Sequence, residues 1–92
     1  MEANQVFILF KNMNLTILTF GIARDIVDGN ELEVELREGA NIADLKALLF
    51  SQYPEFERLA SFAVAVNEEY RDDEYILSEG GEIVIIPPVS GG

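Results

Sequence analysis

Apolar positions along the chain follow two different periods, and the switches between them mark the elements. Residues 15–20 (LTILTF) are rich in β-branched and aromatic side chains, with apolar residues on both parities, the pattern of an internal strand covered on both faces. Residues 32–37 (LEVELR) alternate strictly, Leu32, Val34 and Leu36 against Glu33, Glu35 and Arg37, which predicts a strand with one face in water. Between them residues 23–27 (ARDIV) predict a short helical turn, closed by Asp28, Gly29 and Asn30. Asn41 is a suitable N-cap with Asp44 three residues on, a capping box with a shorter acid. Ile42, Leu45, Leu48 and Leu49 then recur at helical spacing until Pro54 stops the pattern.

The second half returns to the strand period. Residues 62–67 (FAVAVN) predict another strand apolar on both faces, followed by a turn at Glu68 and Glu69 and a short edge piece at Tyr70 and Arg71. Asp72, Asp73 and Glu74 lead into an irregular stretch or single helical turn at 75–77, and residues 78–81 (SEGG) predict a turn before a last strand at 82–86 (EIVII). Two strands, one crossing helix and two or more further strands predict an α+β domain. In it a mixed sheet wraps around one main helix, the ubiquitin-like or β-grasp arrangement, with the chain after residue 86 protruding.

Composition narrows the chemistry. The chain has 92 residues, 6 Lys or Arg against 17 Asp or Glu, and neither Cys, His nor Trp. A chain this short buries roughly 60–65% of its unfolded surface, which leaves no room for a second domain or a deep cleft and speaks against an elaborate enzyme. The lack of Cys and His removes disulfides, thiolate nucleophiles, zinc thiolates and the imidazole base, and with them the usual hydrolytic triads. A formal net charge of −11 repels phosphate backbones and anionic lipid and favours a basic protein partner. No apolar run approaches the roughly 20 residues of a membrane span. Residues 6–10 (VFILF) lack the basic lead-in and cleavage site of a secretory signal, so the expected location is cytoplasmic.

Glu33, Glu35, Glu55, Glu57 and Glu79 are expected to form a solvated acidic surface rather than a shared site. Asp72, Asp73 and Glu74 lack the Gly and distal bidentate Glu of a calcium loop, and no metal site is expected. Gly80 and Gly81 precede a strand rather than a helix, so they predict a turn and not a phosphate cradle. Leu45, Leu48 and Leu49 are expected in the core.

The segment after the last strand is different. Pro87 and Pro88 cannot continue a sheet ladder; they fix φ near −65° and launch Val89, Ser90, Gly91 and Gly92 away from the body. At about 3.1 Å per residue, such an arm extends on the order of 19 Å. Two terminal glycines let the backbone thread a narrow channel in another protein and present its carboxyl carbon to attack. A free carboxylate can be activated by ATP as an acyl adenylate and passed to a sulfur nucleophile, and no internal thiol is present to intercept it. Gly-Gly by itself reads as a frayed end. Directly after Pro-Pro, on a sheet-plus-helix body, it reads as a working arm.

At these residues the sequence resembles a known family. Residues 62–70 (FAVAVNEEY) and 80–92 (GGEIVIIPPVSGG) resemble the ending of the small, sulfur-carrying subunit of molybdopterin synthase, the MoaD family, and residues 19–27 (TFGIARDIV) resemble that family's first strand and short helix. The Pro-Pro-Val-Ser lead-in separates it from the thiamin sulfur carrier ThiS, which shares the β-grasp fold and Gly-Gly. The resemblance covers about 15–92, with Gly81 where the family commonly has Asp, a change expected to loosen that turn. It implies that a MoeB-like enzyme adenylates the Gly92 carboxylate with ATP, and that a sulfurtransferase or persulfide source converts it to a thiocarboxylate. The tail then enters the large subunit, MoaE, and donates sulfur to cyclic pyranopterin monophosphate. The chain itself would be a non-catalytic, sulfur-donating subunit with no bound cofactor, and the catalytic residues would belong to its partners.

By position, the resemblance makes Gly92 the reacting residue. Gly91, Ser90, Val89, Pro88, Pro87, Ile86, Phe20 and Arg24 become partner-contacting residues. The alternatives are a ubiquitin-like protein modifier, a thiamin-type sulfur carrier and an inert interaction domain. The expected division is an extension at 1–12, a β-grasp domain at 13–86 and a tail at 87–92. Residues 5–10 (QVFILF), apolar and uncharged, would be an aggregation-prone edge if exposed and are expected to pair as a strand or pack on an apolar patch, on this chain or a neighbouring copy. A chain starting at Met13 is expected to stay folded and active.

Overall fold

A computed structural model describes residues 11–59 and 62–87. The elements in order are β1 (Asn12–Thr19), α1 (Gly21–Val27), β2 (Glu31–Arg37), α2 (Ile42–Gln52), a 3-10 helix (Pro54–Arg58), β3 (Ala63–Val66), β4 (Glu69–Arg71) and β5 (Ile83–Ile86). The strands form one mixed sheet in the order β2-β1-β5-β3-β4. β1 is antiparallel to β2 and parallel to β5, and β3 is antiparallel to both β5 and β4.

α2 forms where the sequence predicts it because its start is locally encoded. The Asn41 side chain accepts from the Asp44 backbone N–H at 2.9 Å, and the Asp44 carboxylate accepts from the Asn41 N–H at 3.0 Å. The next helix amides are met by the irregular stretch after β4: Ile42 N–H donates to the Tyr75 carbonyl and Ala43 N–H to that of Asp73. Of the 72–74 acids Asp73 thus serves the helix start, and its carboxylate also holds Lys46 at 2.8 Å, while Asp72 accepts the Glu74 N–H within the turn. Ile42, Leu45 and Leu49 face the sheet and form one core with Met13, Leu15, Ile17, Val34, Val64, Val66, Ile83 and Ile85.

Three expectations are corrected. β1 is not covered on both faces by any described element: Met13, Leu15, Ile17 and Thr19 are buried, whereas Asn12, Asn14 and Thr16 are exposed and Leu18 is half-buried. The single helical layer lies on one side only, and Phe20 leaves the strand to become the N-cap of α1. The hairpin turn lies at Asn67 and Glu68, both at positive φ (52° and 72°) as a type I′ turn requires, with Glu69 already in β4. Pro54 does more than stop α2. It starts the 3-10 helix that carries Phe56, fully buried between exposed Glu55 and Glu57, into an aromatic cluster with Phe62 and Tyr53 (ring centroids 5.5 and 6.2 Å).

The turn before β5 is latched rather than loose. Asn67 donates its backbone N–H to the Glu82 carbonyl at 2.8 Å and accepts the Glu82 N–H on its side-chain oxygen at 2.9 Å. A Cβ at Gly81 would stand 3.4 Å from that oxygen, an ordinary contact, so the latch does not itself require glycine there.

Candidate functional site

The candidate site is the corner where β5 hands the chain to its tail. The parallel pairing of β1 and β5 runs Ile17 with Ile83, Leu18 with Val84 and Thr19 with Ile85. At the end of that register β1 turns into α1 while β5 continues to Ile86 and Pro87, both half-buried. Gly21 sits under Pro87: a Cβ there would lie 3.8 Å from the proline Cγ, an ordinary contact, and its φ of +56° is the conformation that lets Phe20 swing out as N-cap.

Hydrogen bonds make the corner firm. Thr19, the one buried polar residue among those described, donates its hydroxyl to the Gly29 carbonyl at 2.6 Å and its N–H to the Asn30 carbonyl at 3.0 Å. The end of β1 is thereby tied to the turn after α1, and the base of the tail starts from fixed geometry. Sequence reasoning missed Thr19; a hydroxyl on the core parity of an otherwise apolar strand was its signal.

Of the residues expected at the site, the structure brings Ile86, Pro87 and Phe20 to this corner, with Phe20 56% exposed. Arg24 lies one turn further along α1, its backbone N–H bonded to the Phe20 carbonyl. It is exposed and lines a shallow polar depression of about 370 Å³ with Asp25, Asp28, Gly29 and Asn30. Pro88, Val89, Ser90, Gly91 and Gly92 lie outside the described residues.

The structure adds an apolar stripe that sequence reasoning did not assign to the site. On the sheet face opposite α2, Leu18 stands beside Val84, Val84 beside Ala65, and Ala65 beside Tyr70, which is 69% exposed. Ile86 lies on the same face, next to Ala63. Its signal in the sequence was the apolar content on both parities of β1, β3 and β5. That pattern gave two apolar faces, but the fold covers one. On α1 Ile22 is 49% exposed and lines a shallow depression with Asp25, Ile26, Glu55 and Arg58. Among the described residues no group of three acidic side chains is placed to hold a metal ion, and no helix is long and apolar enough to cross a membrane.

A family model described as the ThiS family matches residues 17–92, from within β1 to the last glycine. The chain belongs to the ThiS family. Within that family it is similar to the molybdopterin synthase sulfur carrier subunit of Chlamydomonas reinhardtii, 36% identical over 83 residues that make up 87% of this chain and 100% of that protein. A Pyrococcus furiosus protein named for subunit 1 of the molybdopterin converting factor superposes with a TM-score of 0.76 at 26% identity, over 84% of this chain and 99% of that one. A third likeness is to a chain of the Helicobacter pylori complex of molybdopterin-converting factor subunits 1 and 2. There the TM-score is 0.60 at 25% identity, over 87% of this chain and 100% of that one. The ThiS-family assignment and these superpositions agree with the β-grasp arrangement of the sheet.

Proposed function

We propose that this chain is the sulfur-carrier small subunit of a molybdopterin synthase. The observation that carries the reading is the firm corner from which a Pro-Pro-Val-Ser-Gly-Gly sequence departs, on a ThiS-family body similar in sequence to named molybdopterin synthase sulfur carriers. In the first step the Gly92 carboxylate attacks the α-phosphorus of ATP on a MoeB-like adenylating partner, releasing pyrophosphate and forming an acyl adenylate. The terminal sulfur of a sulfurtransferase persulfide then attacks the acyl carbon and AMP leaves, giving an acyl disulfide; a second thiol of the partner attacks the sulfurtransferase sulfur, forming a disulfide there and releasing the thiocarboxylate. The large subunit receives the tail and uses that sulfur on a pyranopterin. This chain's part is to carry and present; Ile86, Pro87, Phe20 and the Leu18–Val84–Tyr70 stripe form the surface offered to the large subunit, with Arg24 at its margin.

Intact mass tests the reading. Protein incubated with an adenylating partner, ATP and a sulfur source should gain the mass difference between sulfur and oxygen, localised to the terminal peptide. An unchanged mass, under conditions that load a control carrier, overturns it. Conjugates of higher mass that disappear on deletion of Gly92 identify a protein modifier instead.

A further inference from the structure

Residues 5–10, expected to pair as a strand or to pack on an apolar patch, lie outside the described residues. Among those described, Thr19 stands where β1, β5 and the turn after α1 meet. It is 1% exposed, and in the β1–β5 register it lies opposite Ile85, two residues before Pro87. Phe20 follows it directly as the N-cap of α1, and Gly21 sits under Pro87. α1 has seven residues, its N-cap makes no side-chain hydrogen bond and its first turn carries no acid, so little in its own sequence fixes it. Its backbone instead closes a loop onto Thr19. The Phe20 carbonyl accepts from the Ala23 and Arg24 N–H groups, the Arg24 carbonyl accepts from Gly29, and the Gly29 carbonyl accepts the Thr19 hydroxyl at 2.6 Å.

We propose that Thr19 is a positioning residue for sulfur transfer: its hydroxyl clamps α1, and Phe20 with it, in register with the base of the tail. The backbone alone does not supply the clamp. The Thr19 N–H bonds to the Asn30 carbonyl at 3.0 Å whatever the side chain, whereas the bond to Gly29 needs a hydroxyl at this position. Packing does not need it, since valine has the same branched shape and suits a buried strand site. Burial shields the bond from competing water, which strengthens it. Without the hydroxyl, α1 stays attached to the core through Ala23, Ile26 and Val27 but can shift against Pro87. Phe20 is then offered beside Ile86 and Pro87 in more than one arrangement, and a partner reading body and tail base together captures only the competent fraction. The consequence for the partner rests on the sulfur-carrier reading; the effect on α1 does not.

Two variants of the full chain test this: Thr19→Val removes the hydroxyl and keeps the shape, and Thr19→Ser keeps the hydroxyl. In Thr19→Val, amide hydrogen exchange at Arg24 and Gly29 should quicken about tenfold, the effect of one lost hydrogen bond. The Tyr53 amide, bonded to the Leu49 carbonyl at the end of α2, should exchange as in the native chain. When the thiocarboxylate form is titrated against a molybdopterin synthase large subunit, the half-maximal concentration should rise at least about threefold, with the maximal rate within about twofold. Thr19→Ser should return both readouts to near their native values. Unchanged exchange at Arg24 and Gly29 overturns the clamp. So does loss of the fold or faster exchange throughout the chain, which would make the hydroxyl a general requirement for folding. Faster local exchange with an unchanged half-maximal concentration overturns the role in transfer. A native chain that stays unloaded under conditions that load a control carrier overturns the sulfur-carrier reading and the role in transfer with it, while exchange still decides the clamp.

Discussion

Pro87 rests against Gly21, whose missing Cβ would stand 3.8 Å from the proline Cγ while its backbone holds φ at +56°. The contact distance leaves room for a methyl group, so the glycine is required by its backbone angle rather than by the proline. Gly21→Ala should therefore cost about 1–2 kcal/mol for a left-handed alanine, read as a fall of several degrees in melting temperature. It should leave the rate of thiocarboxylate formation within about twofold. A large loss of loading at unchanged Tm would show that the methyl group redirects the tail.

The Asn67 latch combines a turn angle and a hydrogen bond, and two variants separate them. Asn67→Gly keeps the φ of 52° accessible and loses only the side-chain bond to Glu82, a loss of about 1 kcal/mol. Asn67→Ala also takes on left-handed strain and should be destabilised by about 1 kcal/mol more. Denaturant melts giving equal stabilities for the two variants would remove the backbone part of the account.

The stripe on the open sheet face should matter to association and not to folding. Tyr70→Ala removes an exposed ring from an edge strand, so Tm should move by no more than a few degrees. Affinity for the large subunit should fall about tenfold if the ring is a central anchor. Titration calorimetry checks this, and unchanged affinity would place the docking surface elsewhere.

How much of this was legible in the sequence depended on how local each signal is. α2 was legible because Asn41, Asp44 and the Ile42–Leu45–Leu49 spacing all act within one segment. Phe56 was not, since a single aromatic between two glutamates in a 3-10 turn has no period to betray it. The apolar residues on both parities of 15–20 predict a second covering layer over Leu18, and no described element supplies it. A strand's side-chain pattern records that both faces are apolar; it does not record whether the cover comes from its own chain. The exit corner was legible only in part: Pro87 marked the end of β5, whereas Thr19 and Gly29 meet through the tertiary fold.

Replacing Gly91 with Leu, or adding a residue after Gly92, should abolish sulfur transfer while leaving the melting curve unchanged. The reason is steric, because the tail must enter a channel suited to bare backbone. A Gly91→Leu variant that supports full molybdopterin formation would exclude such a channel.

Association with the large subunit should be accelerated by charge. With −11 on a body of this size, the on-rate should fall steeply between low salt and molar salt, where the Debye length is about 3 Å. Stopped-flow rates that do not change with salt would contradict it.

β5 is hydrogen-bonded to β1 on one side and β3 on the other, so the sheet has no continuity without the strand synthesised last. Without Ile83–Ile86 the hairpins β1–β2 and β3–β4 share no ladder, and among the described residues they are joined through α2 and the stretch after β4. The strand that unites them is also the one that leads directly into the tail. Closure of the sheet and placement of the tail's base at Pro87 are therefore one event, and whatever loosens β5 from its two neighbours loosens both.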